Sequence, residues 1–218
     1  MPHTQSASEA PASTWTPPPG GSHSTLPVIP SPLARITGKV VIDAGHGGKD
    51  DGTHSAAGVT EKSINLAVAL AVAQCLREKG IDVVLTRSND TFMELAGRTA
   101  IANRSGARLF VSIHADYNNK PSMQGHTILL PQNGSAQSSR LANLISSNMV
   151  MAGSTKHSVR RDSRGLYVLE HTNCTSLLVE LGFLSNRTEA AGLAKATTQT
   201  RLGKAIAEGI AQYLQGRS

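Results

Sequence analysis

The chain has 218 residues, of which 39% are hydrophobic and only 3% aromatic, with 20 glycines and a formal net charge of +6. This is enough for one well-buried domain with a core of Val, Ile, Leu and Ala. The positive surface suits polyanions in general, but no zinc-finger spacing, aromatic–basic motif or long basic arm points to nucleic acid, and no run approaches the ~20 apolar residues that span a bilayer.

Residues 1–36 are rich in Ser, Thr and Pro, including Pro17, Pro18 and Pro19, and read as a linker or disordered leader. Trp15 is equally readable as docked on a surface groove or as exposed. No basic segment followed by an apolar core is legible at the start, so no signal peptide is evident. Residues 37–216 are expected to form one domain.

Val40–Ile42 reads as a short buried strand ending at Asp43, followed by a glycine-rich loop to about Gly58. Over 61–79, Ile64, Ala67, Val68, Ala71, Val72 and Leu76 recur at helical spacing, with Thr60 as candidate N-cap and Gly80 as terminator. Ile81–Leu85 is the next expected strand, Met93–Ser105 a helix, Leu109–Ile113 a third strand, Thr127–Leu130 a fourth and Ser135–Ala152 a helix. Polar, basic residues 153–165 read as a loop, Leu166–Leu169 as a short strand, Ser176–Leu181 as a buried strand, and Glu189–Leu214 as one or two closing helices. Repeated strand–helix alternation predicts an α/β fold: a single domain with a mostly parallel central sheet flanked by helices on both faces. Cys75 and Cys174 lack metal-site spacing; isolated thiols and a single disulfide both remain open.

In such sheets ligands gather beyond the carboxyl ends of strands. His46 follows the first strand, His114 follows the third, and Glu61 opens the helix that returns from the first strand's loop. Two histidines and a glutamate with one open position make a catalytic zinc shell. Residue types alone leave them equally readable as turn histidines and a helix-N-terminal acid. Glu180 ends an apolar strand, where a carboxylate is costly unless paired or near a metal; it is the candidate general base, or a strand-end acid in solvent or paired with Arg187. Gly45, Gly47 and Gly48 permit a tight loop around His46 but lack P-loop spacing.

The blocks Val40–Asp50, Thr60–Leu66, Val84–Arg87, Arg98–Asn103, Phe110–Asp116 and Val179–Asn186 together resemble the amidase-3 type of N-acetylmuramoyl-L-alanine amidase, from about Lys39 to about Leu214. The resemblance implies a Zn2+ ion held by His46, Glu61 and His114, catalysis by Glu180, and hydrolysis of the amide between N-acetylmuramic acid and L-alanine in peptidoglycan. Asn65, Asp116, Arg161 and Arg164 are the candidate substrate-binding residues; the arginines are as readable as part of a solvated loop. Members commonly carry Asn where this chain has Asp116. Some relatives carry an inserted helix that plugs the site and calls for an activator; the interval after Leu130 has room for one ordinary helix, so an open groove, no activator and a monomer are expected. The implied workplace is extracytoplasmic (secreted, wall or periplasm), by an export route not visible, with a phage lysin as the alternative source. A zinc carboxypeptidase and a noncatalytic wall-binding module are the competing readings.

Overall fold

The structure, a computed structural model, describes residues 38–216. The expected leader and Trp15 lie outside the described residues. The first strand, β1 (Val40–Ala44), is buried at every position, as a central strand covered on both sides must be. It leads through the glycine-rich loop to α1 (Glu61–Glu78), then β2 (Val83–Leu85), α2 (Leu95–Arg104) and β3 (Leu109–Asp116). There follow β4 (His126–Leu130), α3 (Ala136–Met151), β5 (Lys156–Arg161), the single helical turn α4 (Tyr167–Glu170), β6 (Thr175–Phe183), α5 (Arg187–Leu193) and α6 (Ala196–Leu214).

The strands form one sheet in the order β2-β1-β3-β6-β4-β5. Pairing is parallel except between β4 and β6. Helices α1, α3 and α6 pack together over one face, against Ile42, Val111, Val179 and Ile128. On the other face α2 and α4 cover Val41, Phe110, Leu129 and Leu178. The period-2 alternation of strand side chains sorts these sets to opposite sides. Each fully buried Leu or Ile here contributes roughly 1.5–3 kcal/mol relative to exposure.

Two expectations are corrected. Residues 153–165 are not all loop: Lys156–Arg161 is the edge strand β5, whose KHSVRR sequence has no apolar alternation because one of its sides and much of its surface meet solvent. Basic side chains on an edge also discourage pairing with another chain. Leu166–Leu169 is not a strand; it runs into the helical turn α4, with Val168 and Leu169 buried, and a short apolar run has no period to separate the two. Thr60 is the N-cap residue of α1 as expected, although its side chain makes no cap bond. The question left open by the cysteines is also settled, since both are free and they pack against the opposite faces of the sheet.

Candidate metal centre and active site

On the α2/α4 face, the strands change character toward their carboxyl ends. Val41 is followed on that face by Asp43, Phe110 by Ser112 and His114, and Leu178 by Glu180. His114 and Glu180 are register partners across β3 and β6, which puts them side by side. β3 runs further than its apolar run suggests, so His114 lies within the strand rather than after it, while Glu180 lies inside β6 as the expected strand Ser176–Leu181 has it.

His46 sits two residues beyond β1 at φ 60, a conformation that L side chains rarely adopt. Two buried arginines hold this loop by its carbonyls. Arg87 donates to the carbonyls of Ala44 and Gly45 at 2.9 and 2.8 Å, and Arg98 to those of Ala44 and His46 at 2.7 and 2.9 Å. Arg98 is itself paired with the buried Asp43 at 2.8 Å. Burial works to raise the Asp43 carboxyl, but Arg98 and the hydroxyls of Ser112 and Thr86 hold it below the usual carboxylate range. Gly45 is required for a second reason: a Cβ there would lie 2.2 Å from the His114 ring.

Glu61, the first residue of α1 and 3% exposed, bridges the histidines. Its Oε2 lies 3.2 Å from His46 Nε2 and its Oε1 lies 2.9 Å from His114 Nδ1. The backbone N–H groups of Thr53 and Ala115 donate to the same carboxylate at 3.0 and 3.2 Å. Burial pushes the Glu61 carboxyl up, yet the hydrogen bonds and charge of His114 and His46 outweigh it and hold the acid far below its ordinary value. On its far side, His46 Nδ1 meets Asp50 Oδ2 at 2.8 Å, which fixes the ring and leaves Nε2 facing inward.

Ligand atoms of His46, Glu61 and His114 all lie within 4.8 Å of one another. Imidazole nitrogens and a carboxylate are the donor set that suits a divalent zinc-like ion, and three protein ligands leave a position open. Glu180 is a second sign that the cleft is built around a cation. It is 8% exposed, and its Oε2 is buried with no hydrogen-bond partner among the described residues. Burial first, then the negative charges of Asp116 and Glu61, push its carboxyl well above the usual range.

These groups line a cleft of about 580 Å³. Of the expected site residues, His46, Glu61, His114, Glu180, Asp116 and Arg164 line it. Asn65 does not: it is fully buried behind Glu61 and donates to its Oε1 at 3.2 Å, so it orients a candidate metal ligand instead of meeting substrate. Arg161 is also outside the lining; it lies on the edge strand and donates to the Gln132 carbonyl at 2.7 Å. Sequence reasoning assigned no role to Asp50, Thr53, Arg87 or Arg98. Arg87 and Arg98 stand in the quoted blocks, but what a buried guanidinium grips is decided by contacts up to 55 positions away.

No helix among the described residues is long and apolar enough to cross a membrane. The sequence model of the Amidase_3 family, N-acetylmuramoyl-L-alanine amidase, matches residues 40–212. The chain is 38% identical over 179 residues to the uncharacterized protein YqiI of Bacillus subtilis, spanning 82% of this chain and 86% of that one. It is 31% identical over 217 residues to the N-acetylmuramoyl-L-alanine amidase AmiA of Escherichia coli, spanning 80% and 75% of the two chains. Among solved structures, the catalytic domain of CwlV, an N-acetylmuramoyl-L-alanine amidase from Bacillus (Paenibacillus) polymyxa var. colistinus, superimposes with a TM-score of 0.76 at 37% identity, covering 82% of this chain and 99% of that one.

Proposed function

The chain belongs to the N-acetylmuramoyl-L-alanine amidase family, and from that premise we propose that it is a zinc-dependent member in which His46, Glu61 and His114 hold the ion and Glu180 moves the proton. The bond cut is the amide joining the lactyl group of N-acetylmuramic acid to L-alanine in peptidoglycan. The observation that carries the assignment of Glu180 is its buried, unpartnered Oε2 beside the His114–Glu61–His46 cluster.

When bound, zinc would polarise the amide carbonyl and make water easier to deprotonate. Glu180 takes a proton from the water that attacks the lactyl carbonyl carbon. It then delivers that proton to the alanine nitrogen as the C–N bond breaks, leaving a free amine and a lactyl carboxylic acid whose remaining water proton passes to the amine or to solvent. Thr53, Ala115 and Asn65 keep the Glu61 carboxylate aimed, and Asp50 keeps the His46 ring aimed. Asp116, at the end of β3, lines the cleft and adds negative charge to it; its role in this reading is to meet a cationic group of the stem peptide.

We also assign action to the cell wall outside the cytoplasm, by a monomer that needs no activator. The main helix between β4 and β6 is α3, which packs with α6 on the sheet face opposite the cleft and does not line it. The test is digestion of purified peptidoglycan by the protein alone, with and without a chelator, followed by mass analysis. Stem peptides with a free N-terminal alanine, lost on chelation and restored by zinc, are the expected products. Stems trimmed at their carboxyl ends while still joined to muramic acid would make it a carboxypeptidase. No cleavage by the zinc-loaded protein would sink the enzymatic reading of this chain or its independence of an activator; adding a candidate activator separates the two.

A further inference from the structure

We infer that Arg164 reads a free carboxylate on the stem peptide, so that its side of the cleft is the peptide side and stems with that carboxylate amidated are disfavoured. This rests on the amidase reading above.

The cleft is strongly acidic: Asp43, Asp50, Glu61, Glu94, Asp116 and Glu180 all line it. Two arginines also do, and they differ in kind. Arg98 is 2% exposed and commits each of its nitrogens, Nε to the Met93 carbonyl and the others to Asp43, Ala44 and His46. The Arg164 side chain is 56% exposed. Only its Nε is engaged, donating to Asp162 Oδ1 at 3.0 Å, and Nη1 and Nη2 have no partner among the described residues.

The anchor under Arg164 is rigid. Asp162 is 2% exposed, and its Oδ2 accepts from the backbone N–H groups of Arg164 and Leu166 at 3.1 and 2.9 Å. One edge of the guanidinium is thereby fixed, and the other carries two donors in the fork geometry that matches a carboxylate. Its charge also reaches the catalytic carboxylate, for Arg164 is among the groups that favour the ionised form of Glu180.

Chemistry then decides what docks. On the sugar side of the scissile bond the lactyl carboxyl is itself the acyl half of the amide, so it offers no anion. Free carboxylates occur along the peptide, beginning with the residue after alanine. A guanidinium with two uncommitted donors on the wall of a cleft that carries several acids is the group a peptide carboxylate would meet there, and docking that carboxylate on it puts the peptide on the Arg164 side.

The probes are two synthetic muramyl peptides that differ at one group, the main-chain carboxylate of the residue after alanine, free in one and a carboxamide in the other. Affinities are measured by calorimetry on zinc-loaded Glu180→Gln protein, with and without Arg164→Met. The free acid should bind at least about tenfold more tightly than the amide, since hydrogen bonds to a charged partner are the strong ones. Arg164→Met should bring the two within about twofold, and Arg164→Lys should recover part of the preference as a point charge. An acid-to-amide ratio that is the same with and without Arg164→Met would overturn the inference, as would tighter binding of the amide. The wild-type protein with zinc is assayed on both probes in parallel. If it cleaves them while the ratio ignores Arg164, only this inference falls; if it cleaves neither, with or without a candidate activator, the amidase reading falls and takes the inference with it. Arg164→Met takes from the buried Asp162 Oδ1 its Arg164 partner, so its thermal midpoint should fall, but the ratio of two ligands on one protein does not respond to a general loss of stability.

Discussion

The two faces of the sheet are built from the same strands and do different work. Under α1, α3 and α6 the strand side chains stay apolar from end to end, as Val40, Ile42 and Ala44 do in β1 and Leu177, Val179 and Leu181 in β6. Under α2 and α4 the same strands carry Val41, Phe110 and Leu178 and finish with Asp43, Ser112, His114 and Glu180. One face is a continuous core; the other trades core for chemistry over its carboxyl-terminal half. The contrast teaches that stability and activity here are separable by side-chain parity along a strand, and substitutions one residue apart should have opposite signatures.

The sharpest test of the comparison is Glu180→Gln. It should lower turnover by about 10²- to 10⁴-fold, the usual worth of a positioned general acid–base group. The urea midpoint should hold or rise, because a buried carboxylate with an unpartnered oxygen is replaced by a neutral amide. A large drop in midpoint would mean that Glu180 supports the fold, contrary to the proposal.

On the other face, Ile206→Ala in α6 removes a fully buried side chain and should cost about 2–5 kcal/mol in urea unfolding. The turnover number of the folded fraction should stay within about twofold. If turnover falls with stability, the two faces are coupled and the comparison breaks.

His126 is the polar exception on the helical side. It is fully buried, with its ring nitrogens 2.9 Å from the hydroxyls of Ser146 and Ser154, and burial depresses its pKa to about 4. The folded value lies below the unfolded one, so the neutral ring is the folded form. Its contribution is complete above about pH 6.5 and is lost as pH falls from there toward about 4. At ~1.4 kcal/mol per pH unit the loss approaches about 3 kcal/mol. Unfolding free energies of wild type and His126→Asn across that window should diverge at high pH and converge at low pH; parallel curves would refute the assignment.

The smallest expected effect is Arg98→Lys, which keeps a charge for Asp43 but cannot grip the Ala44 and His46 carbonyls together. Zinc affinity of the folded protein, read by competition with a chromophoric chelator, should weaken by about 10- to 100-fold, as for other groups that orient a metal ligand. Unchanged affinity with lowered stability would make Arg98 a core residue only.

Much of this was legible beforehand because local patterns repeat. The helical spacing of Ile64, Val68, Val72 and Leu76 and the apolar runs at Val40 and Leu177 are properties of the chain at a distance of a few residues, and these elements formed where they were expected. The segment 153–169 was misread for the converse reason. An edge strand half in solvent and one helical turn carry no period of their own; pairing with β4 makes the first, and packing on Phe110 and Leu178 makes the second.

The sequence by itself determined the α/β architecture and nominated His46, Glu61, His114 and Glu180, because strand ends and helix starts are where such a sheet gathers its chemistry. Only the tertiary structure decided the rest. It turned Asn65 inward to serve Glu61, left Arg161 on the edge strand, and set Arg87 and Arg98 on the backbone of the His46 loop. It kept the two cysteines on opposite faces and freed one end of Arg164 inside an acidic cleft. The physical reason is range: periodicity and capping act over a few residues, whereas the partner of a buried charge is whichever group the folded sheet brings within about 3 Å, however far away it lies in the chain.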